Sequence, residues 1–199
     1  MLYKFIIHGT AVAITVIMLA SPNYGEVFLK GTFDFAGQQT AESSESYISY
    51  EDRDISSGIS GGIYWVKTWK YFDAGLGMDY LFSRKIQSSD EDESFSFLPI
   101  NLLIRIKYPL QKFSPFLSIA GGYPLEFANE EYKKSWGWST DAGVDGESTI
   151  RLGLGVELSK TIATGIYYSV YNGGLGTGGN TPSTFTTYTT LSLGFIYTL

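Results

Sequence analysis

Proton transfer near neutral pH calls first for histidine, and this 199-residue chain has only His8. His8 lies within an apolar run, Phe5 to Ala20, that follows Met1-Leu2-Tyr3-Lys4. A short basic start followed by a short greasy stretch is the pattern of an export signal, and the run is short for a membrane helix of about 20 residues. Residues 1–25 are therefore expected to be a cleaved signal peptide, with Ala20, Ser21 and Gly25 as candidate junction residues, and 26–199 the mature domain. Cleavage would remove the imidazole, and a serine without a base is inert. No catalytic residue and no cofactor site is expected, and the chain is read as non-enzymatic. Cysteine is absent, which leaves no disulfide and no thiolate metal centre. No Asp-x-Asp-x-Asp-Gly loop occurs either, so no metal site is expected.

Charged side chains are few, at 17% of residues, and their placement is informative. Lys30, Asp73, Arg105, Lys107 and Glu157 alternate with the bulky apolar residues of their segments, so they fall on the opposite face of an extended chain. They are expected to form an interior charge cluster toward one end, with Asp34, Asp79 and Arg151 at mid-height or above. Such a set is either a selectivity ring for ions or a salt-bridged plug. Mixed signs favour the plug, because unlike charges pair at close range in a low dielectric.

Other acids gather between the apolar segments: Glu42 to Asp54, Asp90 to Glu93, and Glu126 to Glu147. They are expected in solvated external loops. Tyr132, Trp136 and Trp138 share the third of these segments and form a candidate external partner surface, since exposed Trp and Tyr are favoured interface anchors. Trp65, Trp69 and Tyr71 flank a short turn and read as an interfacial aromatic girdle. Gly173-Gly174-Leu175-Gly176 lacks the lysine and following helix of a phosphate cradle. A net charge of −6 without a basic stripe excludes nucleic acid as a partner.

The elements that must carry these residues alternate with period two, the signature of strands. Leu29, Phe33 and Phe35 oppose Lys30, Thr32 and Asp34; Ile55, Ile59, Ile63 and Trp65 oppose Ser56, Ser60 and Tyr64. The same division runs through 72–83, 96–108, 115–123, 150–158, 162–171 and 185–199, eight strands in all. Connections alternate between short (68–71, 109–114, 159–161) and long (about 40–54, 85–94, 126–147, 172–183), as in a membrane barrel. One face carries large aliphatic and aromatic side chains, the other Gly, Ser, Thr and charges. That suits a narrow wet interior and a lipid-facing exterior better than a soluble ligand-binding barrel. The expected fold is all-β: a closed antiparallel up-and-down transmembrane β-barrel of about eight strands.

The chain ends Ser192-Leu193-Gly194-Phe195-Ile196-Tyr197-Thr198-Leu199. With Gly194, Tyr197 and Leu199 as its key positions, this resembles the C-terminal insertion signal of bacterial outer-membrane barrels, ending in Leu where many members end in Phe. Together with Pro115 to Tyr123 and Ile150 to Tyr171, it is similar to the small opacity-type barrels, OmpA-, OmpX- and OmpW-like. The resemblance implies an outer membrane of Gram-negative type and the barrel insertion machinery as a partner; outer-membrane lipid and lipopolysaccharide are the expected surroundings, and the acidic loops are expected to engage a host or envelope protein. It implies functions from adhesion to small-solute passage. The expected role is structural and adhesion-type, through long acidic loops around a plugged interior. A narrow channel for ions or small solutes is the alternative.

Overall fold

The computed structural model describes residues 25–35, 37–43, 52–87, 92–135, 143–176 and 184–199. Period-two sequences become strands throughout: β1 (Glu26–Asp34), β2 (Gly37–Ser43), β3 (Arg53–Ile55), β4 (Gly58–Thr68), β5 (Phe72–Lys85), β6 (Ser94–Lys107), β7 (Ser114–Ala128), β8 (Gly143–Glu157), β9 (Ile162–Gly176) and β10 (Thr184–Thr198). A short helix, α1 (Glu130–Ser135), follows β7.

All pairings are antiparallel, and β1 closes the sheet on β10 through Phe28↔Thr198 to Asp34↔Ser192. β1 and β2 are successive pieces of one barrel strand, because β10 pairs β1 along its later half and β2 along its earlier half. β3 and β4 likewise make one strand, facing β2 and β1 respectively. Eight barrel strands result, two of them broken. Closure of β1 on β10 joins the first and last strands, the condition for crossing hydrocarbon without orphaned backbone groups.

Outward positions are the bulky apolar ones. Ile59, Ile63, Ile104, Ile119, Leu152, Ile166 and Leu193 are all exposed, forming a band no water-soluble monomer would display. Inward positions carry the polar side chains, with some aromatic rings among them: Ser60, Asp73, Asp79, Asn101, Arg105, Ser118, Arg151, Thr190 and Ser192 are buried, as are Phe28 and Phe116. The barrel is therefore inverted relative to a soluble one. Among the described residues, no helix is long and apolar enough to cross a membrane; the strands do that.

Two local irregularities depart from strict alternation. Ile55, expected outside with Ile59, is fully buried, because Ser56 and Ser57 lie between β3 and β4 and the break shifts the phase. The connection expected at 126–147 contains regular structure among its described residues: β7 runs on to Ala128, α1 follows, and β8 begins at Gly143.

Candidate functional site

The lumen is filled in storeys. At the end that carries the short turns, Arg105 on β6 donates through Nε to Asp73 on β5 at 2.6 Å and through Nη2 to Glu157 on β8 at 2.7 Å. Lys107 Nζ lies 2.7 Å from Asp73 and 3.7 Å from Glu157. The Arg105 guanidinium sits 4.8 Å from the ring centre of Phe28 and 4.9 Å from that of Phe116, so apolar rings cover a charge whose hydrogen-bonding edge is paired. Two cations meet two carboxylates.

One storey up, Asp79 on β5 accepts hydrogen bonds from Arg151 at 2.7 Å, Asn101 at 3.0 Å, Lys30 at 3.3 Å and the Tyr64 hydroxyl. Arg151 also donates to the Tyr64 oxygen at 2.5 Å. Lys30, expected with the lower cluster, belongs here because β4 sets it beside Gly62, which pairs in turn with Asp79. This storey holds two cations and one carboxylate.

The third storey is Arg84 with Asp34. Arg84 pairs with the carboxylate, to which Ser60 and Thr32 donate their hydroxyls, and its nitrogens also reach the carbonyls of Phe82 at 2.7 Å and Ile59 at 2.8 Å. Alternation places Arg84 on the same outward face as Phe82. A register shift between Leu81 and Arg84 turns it inward, and a bulge of this kind re-aims a side chain without breaking the sheet.

Above lies an aromatic cap. Phe95, Phe97, Tyr132, Tyr171 and Tyr188 pack with Ile55, Leu81 and Ile86; Phe97 stacks on Tyr171 at 5.2 Å and Phe95 meets Tyr188 edge-on at 5.3 Å. Tyr132 enters from α1, whose N-cap is Asn129: its Oδ1 accepts from the Tyr132 backbone N at 3.0 Å, satisfying an otherwise orphaned helix donor. The same oxygen accepts from Ser94 N at 3.1 Å, tying the helix to β6. Tyr132 is thus corrected as a partner-surface residue. It is fully buried, and Gln39 donates to its hydroxyl. Trp136 and Trp138 lie outside the described residues.

Two acids expected in solvated loops are also buried. Glu93 pairs with Arg53 at 2.9 Å. Glu126 points into the mouth of the barrel from the end of β7, and neither carboxylate oxygen has a hydrogen-bond partner among the described residues. At the opposite end, Trp69 stacks on Phe72 at 4.4 Å, and Lys70 sits 4.9 Å from the Tyr71 ring centre, a placement suited to a membrane interface.

The C-terminal residues close the barrel. Leu199 N donates to Val27 O at 2.9 Å, Tyr197 and Leu199 face outward, and Gly194 lies beneath the Tyr167 ring, where a Cβ would come within 2.6 Å. Among the described residues, no group of three or more acidic or histidine side chains could hold a metal ion.

No family model and no characterised protein matches the sequence. Among solved structures, the outer membrane protein OprG from Pseudomonas aeruginosa superposes with a TM-score of 0.51 at 14% identity, covering 88% of this chain and 96% of that one. Neisserial surface protein A follows at a TM-score of 0.45 and 16% identity, covering 86% and 96%. Ail of Yersinia pestis gives 0.40 at 10% identity, covering 89% and 100%. With its closed eight-strand sheet, polar lumen and apolar exterior, the chain has the fold of the small transmembrane barrels of outer membranes.

Proposed function

We propose that this protein is an outer-membrane barrel with an occluded lumen whose working surface is its external end, in a structural or adhesion-type role. One observation supports the reading: three storeys of charged side chains, buried except for the partly exposed Glu157, and a buried aromatic cap fill the lumen. A conducting pore of this size would need those pairs parted, and unlike charges at close range in a low-dielectric interior resist separation. Protein of this kind is a rigid pedestal. It anchors in lipid through the apolar band and presents loops whose sequence is acidic and contains Trp136 and Trp138, residue types suited to a host or envelope protein with a basic, partly apolar surface.

The test is binding of cells displaying the protein to immobilised host matrix and envelope proteins, comparing wild type with the Trp136→Ala, Trp138→Ala double variant. The substitutions leave Tyr132 in the cap, so the heat-modifiable folded band should persist while binding falls at least tenfold. Unchanged binding by the double variant would remove the tryptophans as the contact.

A further inference from the structure

We propose that the end of the barrel carrying the short turns is a binding surface for the phosphate headgroups of anionic phospholipids in the leaflet around it. The inference rests on the chain being a membrane barrel and is independent of what the external loops bind. Each short turn brings one lysine to this end: Lys70 between β4 and β5, Lys112 between β6 and β7, and Lys160 between β8 and β9. Lys67, near the end of β4, joins them. Lys70, Lys112 and Lys160 are exposed and Lys67 is half-buried. Among the described residues none of the four forms an ion pair.

Carboxylates at this end are few or already engaged. Asp73 and Glu157 are taken by Arg105 and Lys107 inside the barrel, and Glu26 accepts from the Thr68 hydroxyl at 2.9 Å. The turns themselves, 69–71, 108–113 and 158–161, contain no acid. Even with the Leu199 carboxyl counted, positive charge is in excess. The opposite end reverses this: the connection 86–93 holds Asp90, Glu91, Asp92 and Glu93 and no lysine or arginine.

The surroundings of these lysines select a lipid over a soluble anion. Lys67 Nζ lies 5.6 Å from the Trp69 ring centre, and Tyr71, Tyr108 and Phe113 on the same turns are exposed, rings of the kind that settle at the headgroup level of a bilayer. Ile106, Leu158 and Ile162 carry the exposed apolar band up to the turns. A lysine just beyond such a band keeps its methylenes on the apolar surface and extends its ammonium to the phosphates. Short turns face the periplasm, so the leaflet concerned is the inner one.

The test uses the refolded protein carrying Trp136→Phe and Trp138→Phe, so that Trp65 and Trp69 report this end alone. It is placed in phosphatidylcholine vesicles at low salt, and quenching is compared between phosphatidylglycerol and phosphatidylcholine whose chains are brominated near the headgroup. Phosphatidylglycerol should bind about fivefold more tightly, the preference one lysine near an anionic surface confers, and high salt should erase the difference. Replacing Lys67, Lys70, Lys112 and Lys160 with Gln should bring the two lipids level, whereas Lys85→Gln with Lys134→Gln, exposed at the other end, should leave the preference intact. Equal quenching by both lipids before those lysines are changed would overturn the proposal. So would a preference that survives the fourfold variant or is lost equally in the control; if a variant fails to refold, the comparison of the two lipids and its salt dependence decide the matter.

Discussion

Asp79 holds the middle of the lumen together, accepting from Arg151, Lys30, Asn101 and Tyr64 at once. Asp79→Ala would leave two buried cations with no carboxylate, and the barrel is expected to lose about 3–5 kcal/mol in urea unfolding. The Lys85–Asp92 pair is the comparison, since its side chains are 63% and 82% exposed; Lys85→Ala should cost less than about 1 kcal/mol. Similar losses for the two variants would contradict the storeyed interior. Small residues matter as much as charged ones: Gly153 lies under the Tyr167 ring and beside the Ser118 hydroxyl, where any Cβ would collide. Gly153→Val should overpack the lumen and destabilise by about 1–3 kcal/mol on the same measurement.

Strands were legible because each one keeps its phase over many residues. β6, for example, reads Leu98, Ile100, Leu102, Ile104, Ile106 against Asn101, Arg105, Lys107, and the structure places the second set inside. What escaped were the points where phase changes. The register shift ahead of Arg84 and the break between β3 and β4 each move a side chain to the other face without any composition signal. Tyr132 escaped for a different reason: it reaches the cap from a short helix held by Asn129, a tertiary arrangement that no periodicity records. The interior charges were recognisable as inward-facing, yet their partition into storeys depends on cross-strand register, which a single strand does not encode. An element-scale test uses the exterior. Ile119 is flanked across the sheet by Ile104 and Leu152, all three exposed. Ile119→Arg should cost about 2–4 kcal/mol in lipid vesicles if this band meets hydrocarbon, and a neutral effect would argue that water bathes it.

At the scale of the molecule, the barrel is inverted, with paired charges inside and aliphatics outside, and stoppered by rings at one end. Both features suit the proposed occluded barrel, in which specificity would rest with the loops. The most direct measurement is single-channel conductance of the protein in a planar bilayer, for wild type and for the Arg105→Ala, Lys107→Ala variant. The occluded lumen should give no discrete steps in the wild type at either polarity. Steady wild-type steps whose ion preference changes in the variant would show a selective pore and contradict the account.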